Sequence, residues 1–410
     1  MNAEILNVGT ELLLGTTVNT DARDISLALS EIGINVYWHT VVGDNPARLT
    51  ECLYRAKDRA DLIITTGGLG PTCDDLTKQI LSRFFERPLY FDEECADEIR
   101  EYFSSRGRPC TENNMQQAWL PEGCTVFHNS TGTAPGCTFE QDGVRVVMLP
   151  GPPLECGTML RAQVLPFLRS LSDETIRSHI LRMFGIGESA MEAKLRDLMD
   201  GANPTVAPYS REGECMVRVT AQAESEERCE ELMAETIECI RERMRDYIYG
   251  TDCDSLEECV KALLEEKELS LASAESCTGG LLAKRYTDLS GASATFRGGV
   301  NVYTEDSKIK LLGIDPKTIE ENGVVSAAVA GQMAKRIRRI LGADLGVGIT
   351  GWAGPDGDDV GLVYVALACK GESFIRRLNL GRTAPRSRIR TLAANHAFDM
   401  IRRYLTGLEV

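Results

Sequence analysis

The sequence predicts an α/β protein built from more than one domain. Three observations carry that expectation. The chain has 410 residues, and a single hydrophobic core stops growing at about 250–300 residues. Short apolar runs alternate with amphipathic helical patterns, the signature of βαβ units and parallel sheets. Several of those runs end in glycine-rich turns, and ligands of open α/β sheets sit at the carboxyl ends of the strands.

In the first segment, residues 3–8 read as an apolar strand that ends in Gly9, Thr10 and Glu11. Asn19 or Thr20 can cap a helix carrying Ile25, Ala28, Leu29 and Ile32, which stops at Gly33. A strand at 34–42 and a helix with Leu49, Leu53 and Ala60 follow. The next strand, 61–66, runs into a loop containing Gly67, Gly68, Gly70, Thr72, Asp74 and Asp75. Three glycines expose backbone N–H groups to phosphate oxygens, and Thr72 adds a hydroxyl donor. Asp74 and Asp75 would repel a phosphate unless a hard cation bridges them to it, so Mg²⁺ or a similar ion is expected. The plainer alternative is a glycine turn with Asp74 or Asp75 as a helix cap. No Gly-Lys-Ser/Thr follows, so this is not a P-loop. A strand at 144–149 ends in Pro150-Gly151-Pro152-Pro153. Pro152 and Pro153 suit a first helical turn and would bring Glu155 to the same rim.

The middle segment predicts a small α+β module. Residues 176–183 and 216–223 read as strands, the latter followed by a charged helix from about Glu226 to Arg245.

In the last segment, the apolar run 269–272 leads into Glu275-Ser276-Cys277-Thr278-Gly279-Gly280, and Leu281 opens a helical pattern. A small polar residue at a strand-to-helix turn lies beside free backbone N–H groups that suit an oxyanion, and the glycines let a ligand approach. Ser276 is thus placed like a nucleophile, or is simply an N-cap. A serine nucleophile needs a base. His396 is the only histidine of this segment, whereas Lys308, just past a strand read at 294–303, can serve if burial lowers its pKa. Tyr303 could orient or relay a proton. Arg386 and Arg390, four residues apart on the terminal helix, could fork onto a phosphate. Cys277 is a rival nucleophile, ranked below Ser276 because cysteines are frequent and unpatterned in this chain. Ser326 is expected to cap a helix closed by Gly342. A strand at 343–349 ends at Thr350, and residues 361–368 and 374–380 look like a hairpin.

Composition narrows the function classes. Lys+Arg 45 against Asp+Glu 61 gives a net charge of -16, a field that repels nucleic acid and anionic membranes. Fourteen cysteines are scattered without a C-x-x-C pair, and four histidines are present, a pattern that argues against cysteine-zinc sites. No apolar run is long enough to span a bilayer. Glu4 and Glu11 without a basic flank do not read as a signal peptide. A cytoplasmic chain with reduced thiols is expected.

Gly9-Thr10-Glu11, Thr66-Gly67-Gly68-Leu69-Gly70-Pro71-Thr72 with Asp74-Asp75, Gly132-Thr133-Ala134-Pro135-Gly136 and Pro150-Gly151-Pro152-Pro153 resemble the molybdopterin-binding-type domain of the CinA family. The 171–250 module resembles that family's KH-like insert, though it lacks a basic Gly-x-x-Gly clamp for RNA. The Ser276 turn, Tyr303 to Lys308, Gly348-Ile349-Thr350-Gly351-Trp352-Ala353-Gly354-Pro355 and Arg386 with Arg390 resemble the C-terminal CinA domain, akin to nicotinamide-nucleotide amidases. The resemblance covers nearly the whole chain. It implies a doubly wound molybdopterin-binding-like domain at 1–170, a KH-like α+β domain at 171–250 and an α/β amidase domain at 251–410.

For the amidase domain the resemblance implies deamidation of nicotinamide mononucleotide (NMN) to nicotinic acid mononucleotide and ammonia, without a cofactor. Ser276 would be the nucleophile and Lys308 the base, Tyr303 and Thr350 would assist, and an arginine would hold the phosphate. Gly279 and Gly280 would line the substrate. For the first domain it implies metal-dependent hydrolysis of ADP-ribose to AMP and ribose 5-phosphate. The pyrophosphate would rest on residues 67–72, with Glu11 and Asn19 at the substrate and Asp74 or Asp75 on a divalent metal. A homodimer is expected. The alternative is a relative with one or both sites silent that binds a nucleotide or pterin without chemistry, or serves competence.

Overall fold

A computed structural model of the chain describes residues 1–171, 175–211, 213–253, 255–357 and 359–410. The chain divides into two compact units, Met1–Arg177 with Ala221–Glu230 and Ser178–Thr220 with Glu231–Val410.

The N-terminal sheet is built from β1 (Asn2–Val8), β2 (Asn35–Val42), β3 (Leu62–Thr66), β6 (Thr125–Phe127), β7 (Gly136–Gln141) and β8 (Val144–Leu149); β4 (Leu89–Phe91) and β5 (Trp119–Pro121) form a separate antiparallel pair. The strand order is β2-β1-β3-β8-β7-β6. The first four strands are parallel, as the alternation of strands and helices predicts, and β7 and β6 extend the sheet antiparallel. Alternate side chains of each central strand enter different cores. Leu6, Val8 and Ile63 pack in one hydrophobic cluster, and Ala3, Ile5, Leu62 and Ile64 in another. A sheet buried on both faces needs continuous apolar strands, and β3 is buried at every position.

The middle module is a four-stranded sheet of β9 (Thr175–Phe184), β10 (Thr205–Arg211), β11 (Glu214–Ala223) and β12 (Ile248–Thr251), in the order β10-β11-β9-β12. Sequence reading missed β10 and β12. β10 contains Pro208, which normally argues against a strand, but β10 lies on the sheet edge, where a missing N–H is tolerated.

The C-terminal sheet comprises β13 (Leu271–Glu275), β14 (Phe296–Asn301), β15 (Leu345–Gly351), β16 (Leu362–Ala368) and β17 (Ser373–Asn379), in the order β14-β13-β15-β16-β17. β13, β14 and β15 are parallel, and the expected hairpin β16–β17 adds two antiparallel strands. Leu345, Val347 and Ile349 face the larger core. On the other face, a Cβ at Gly346 would lie 2.3 Å from Ala334 O and one at Gly348 2.4 Å from Ala330 O. Only glycine lets the helix Ala327–Ile340 lie so close to β15. Ser326 caps that helix as expected, accepting from Val329 N. β14 is shorter than the predicted strand, so Tyr303 lies beyond its end and is 61% exposed.

No helix among the described residues is long and apolar enough to cross a membrane.

Candidate functional sites

The C-terminal site forms where the parallel strands end. Ser276 follows β13 directly, and its N–H donates to Ile349 O of β15 at 2.9 Å. The turn then passes through Gly279 and Gly280, at φ +60 and +88, into the helix Leu281–Thr287. The first-turn N–H groups of that helix go to Glu275, whose carboxylate accepts from Leu282 N at 3.1 Å and Ala283 N at 2.9 Å. Ser276 is therefore not the cap. Its Oγ instead accepts from Lys308 Nζ at 3.0 Å, and the same amine donates to Val302 O at 2.8 Å.

Lys308 is brought in by the helix Glu305–Leu312, whose start is fixed by a capping box between Thr304 and Ser307. The lysine is 1% exposed. Burial lowers its pKa below the usual lysine value, and the neighbouring Cys277 and Glu305 only partly oppose this. Cys277, the rival nucleophile, is buried too, and burial pushes its thiol up to about 12, away from the reactive thiolate.

A pocket of about 210 Å³ opens onto this pair, lined among others by Ser276, Tyr303, Lys308, Thr350 and Arg386. Arg386 donates to Gly354 O at 2.6 Å and to Tyr303 Oη at 2.8 Å. Tyr303 thus orients the guanidinium. The Thr350 hydroxyl donates to Val324 O at 3.1 Å. The two arginines separate in role. Arg390 spends its Nε and Nη2 on Thr278 O, at 3.1 and 2.6 Å, and lies against Gly279, so it braces the turn and does not line the pocket.

The N-terminal site lies at the carboxyl ends of β1, β3 and β8, in a cleft of about 520 Å³. Gly67 and Gly68 adopt φ +90 and +67, and a Cβ at Gly67 would sit 2.2 Å from Val8 O. Gly67, Gly68, Gly70, Glu11, Asp74 and Asp75 all line the cleft, as the sequence led one to expect, and Glu155 reaches the same rim. Two expected substrate residues do not line it. Asn19 caps the helix Thr20–Glu31 through a bond from Ala22 N. Thr72 turns its hydroxyl onto Asp75, at 2.6 Å, and Asp74, while its N–H also donates to Asp75 at 2.8 Å. Those bonds complete the loop internally, so this hydroxyl is not available to a phosphate.

Sequence reading missed Asp44, Gln117 and Lys78. Asp44 enters the cleft and accepts from Thr10 N and Oγ1, at 2.9 and 2.8 Å. Its position just past β2, before the Asn45-Pro46 helix start, was the available signal. Lys78 lies behind the glycine loop, 2% exposed, donating to Gln117 O at 2.5 Å. Desolvation lowers its pKa to about 8.

The described lining of this cleft includes five carboxylates, from Glu11, Asp44, Asp74, Asp75 and Glu155, and no lysine, arginine or histidine. A phosphate cannot approach such a surface without cations. The Thr72 hydroxyl holds the Asp74 carboxyl below its usual pKa and so keeps it ionised. Hard, ionised oxygen donors beside backbone N–H groups fit Mg²⁺, which takes one or two carboxylates together with substrate phosphates and water.

The chain is an α/β protein with a carboxylate-lined cleft at the strand ends of its N-terminal sheet and a buried serine–lysine pair at those of its C-terminal sheet. Residues 4–170 match a probable molybdopterin binding domain, 178–250 the damage-inducible protein CinA KH domain, and 253–405 the CinA C-terminal domain. A putative competence-damage inducible protein of Caldanaerobacter subterraneus is 46% identical over 414 residues, covering 100% of each chain. A CinA-like protein of Desulfovibrio desulfuricans is 47% identical over 416 residues, covering 100% of this chain and 97% of that one. Among solved structures, a CinA protein with unknown function from Thermoplasma acidophilum is 33% identical, covering 40% of this chain and 97% of its own, with a TM-score of 0.37. The chain belongs to the CinA family.

Proposed function

We propose that the C-terminal site is a serine–lysine amidase acting on nicotinamide mononucleotide. The observation that carries this reading is the 3.0 Å contact between Lys308 Nζ and Ser276 Oγ in a pocket that also holds Arg386. Burial favours the neutral amine, which takes the Ser276 proton as the oxygen attacks the carboxamide carbon. The tetrahedral intermediate collapses as the same proton is delivered to the leaving nitrogen, releasing ammonia and leaving an acyl ester on Ser276. Water, deprotonated by Lys308, then attacks the ester carbon, and as the C–O bond breaks Lys308 returns the proton to Ser276 Oγ, releasing the free acid. The Arg386 guanidinium, oriented by Tyr303, pairs with the nucleotide phosphate, for which a planar fork is better suited than an ammonium. Thr350, tied to Val324 O, shapes the wall beside Ser276.

Ammonia release from NMN by the purified chain, beside Ser276→Ala and Lys308→Met, tests this. Loss of release in both variants with the circular dichroism spectrum unchanged is the expected result. Absence of release by the unmutated chain overturns it.

For the N-terminal cleft, we infer a metal-dependent hydrolysis of ADP-ribose to AMP and ribose 5-phosphate. The charged side chains of the lining, all of them carboxylates, support it. Asp74 and Asp75 would hold Mg²⁺, which supplies charge neutralisation at the pyrophosphate. The backbone of 67–70 would receive phosphate oxygens. A second reading, a site that binds a nucleotide or pterin without chemistry, is favoured by the internal bonds of Thr72 to both aspartates. Metal-stimulated AMP formation from ADP-ribose separates the two.

A further inference from the structure

Away from both sites, the helix Glu93–Ser104 and the chain just after β6 bring together a thiol, a carboxylate and an imidazole. Cys95, Glu98 and His128 each offer a ligand atom, and these atoms lie within 4.8 Å of one another, the one such group of three among the described residues. Cys95 and Glu98 are three residues apart and so share a helix face. The Glu98 carboxylate meets His128 Nδ1 at 2.9 and 3.0 Å. We propose that Cys95, Glu98 and His128 form a binding site for a zinc-class transition-metal ion.

The donor set argues for that class. Thiolate and imidazole select borderline metals over Mg²⁺ or Ca²⁺, and one carboxylate completes three protein ligands. In tetrahedral zinc sites with bonds near 2.0–2.3 Å, ligand atoms stand roughly 3.3–3.8 Å apart, so small side-chain rotations close the group. Cys95 itself is buried, and burial together with Asp92 raises its thiol pKa, so the entering metal has to displace the proton, which leaves to solvent through the cleft. Glu98 and His128 are about half exposed, which leaves an entry path. A cleft of about 320 Å³, lined in part by Cys95 and Glu98, gives room for a fourth, non-protein ligand.

The backbone under these ligands is already held. Asp92 caps the helix through Cys95 N at 2.9 Å and is itself held by Tyr90. Gln163 clamps His128 from both sides, accepting from its N–H at 2.9 Å and donating to its carbonyl at 2.7 Å. Such support fixes ligand orientation before metal arrives. The site also has a structural connection to the cleft. Asn129, the next residue, accepts from Thr131 N and Gly132 N and donates to Glu155. Thr133 borders the carboxylate cleft. A metal on His128 would therefore anchor the loop that forms one wall of that cleft.

The test is Co²⁺ titration of the metal-free full chain, read by the thiolate-to-metal charge-transfer absorption and its displacement by Zn²⁺. One equivalent with such a band is expected, absent in Cys95→Ser, present in Cys124→Ser and in Asp74→Asn, and weakened at least about tenfold in affinity in Glu98→Gln and His128→Asn. No band at one equivalent, or a band that survives Cys95→Ser, overturns the proposal. Should Cys95→Ser fail to fold, His128→Asn at its more exposed position decides alone: unchanged affinity overturns the site, and weakened affinity supports it.

Discussion

Glu275 and Ala283 are joined by a hydrogen bond of 2.9 Å, and Leu282 donates to the same carboxylate at 3.1 Å. Glu275 thus satisfies orphan N–H groups of the helix Leu281–Thr287, whose N-cap position is Gly280 and offers no side chain. A serine engaged with its own helix is a poor nucleophile, because its lone pairs are occupied and its rotamer is fixed away from the pocket. The division of labour between adjacent residues leaves the Ser276 hydroxyl to Lys308.

Glu275→Gln should weaken this cap while keeping its shape. The carboxylate is 1% exposed, and charge-assisted bonds to backbone amides contribute roughly 1.5–3 kcal/mol together. Urea denaturation should show a loss of that order, with ammonia release falling as the turn loosens. Unchanged stability would remove the carboxylate from the account of the turn.

The pH profile of the proposed amidase reaction follows from Lys308. Its pKa is lowered by burial, and only the neutral amine can accept the Ser276 proton. kcat/KM should therefore rise with pH through a midpoint below the usual lysine value of 10.5 and level off above it. The same shift has a stability consequence of known sign. Between the native pKa and the unfolded one the unfolded state binds more protons, so the contribution of this group to stability falls as pH falls through that window. Lys308→Met should flatten that dependence relative to the unmutated chain. A limb that stays in place in Lys308→Arg or a Met variant with full activity would remove Lys308 as the base.

Arg386 and Arg390 should separate by kinetics. Arg386→Ala should raise KM for NMN by about 10–100-fold, corresponding to the loss of a charge-assisted pair, with little change for the nucleoside that lacks the phosphate. Arg390→Ala should instead lower stability and kcat on both substrates, since it releases Thr278 O. Equal losses on both substrates in Arg386→Ala would count against phosphate contact.

Gly67→Ala should damage the N-terminal cleft directly. The backbone is at φ +90, and the new Cβ would meet Val8 O at 2.2 Å. Strain of this kind costs roughly 1–3 kcal/mol and has to move either β1 or the loop. Thermal denaturation should register the loss, together with weakened nucleotide binding.

Metal removal should distinguish the two centres. Chelation should abolish AMP formation from ADP-ribose and leave NMN deamidation intact, and Mg²⁺ alone should restore the first. Asp75→Asn should keep AMP formation low even at high Mg²⁺. Deamidation lost on chelation would tie the serine–lysine site to a metal.

Much of the frame was legible from the residues. Apolar runs of strand length, glycines after them and caps such as Ser326 are local signals, set by backbone sterics and by the need to satisfy the nearest amides. They marked both rims, and the order of motifs along the chain pointed to the family. What local signals could not decide was the use of each polar side chain. Asn19 and Thr72 carry the right chemistry for a ligand, but each finds a partner within three residues, Ala22 N for Asn19 and Asp74 and Asp75 for Thr72.

Local sequence dictates where strands turn into helices and which residues stand at those turns, because φ preferences and amide satisfaction act over a few residues. Which of those residues meet is a matter of tertiary packing. The order β14-β13-β15 sets Lys308 and Thr350 on either side of Ser276. Closure of the terminal helix gives Arg386 to the pocket and Arg390 to the turn. β2 brings Asp44 to the cleft, and the paired supports of Asp92 and Gln163 hold Cys95 near His128. Such meetings depend on sheet order and helix packing, to which contacts from the whole domain contribute and which no short stretch of sequence encodes.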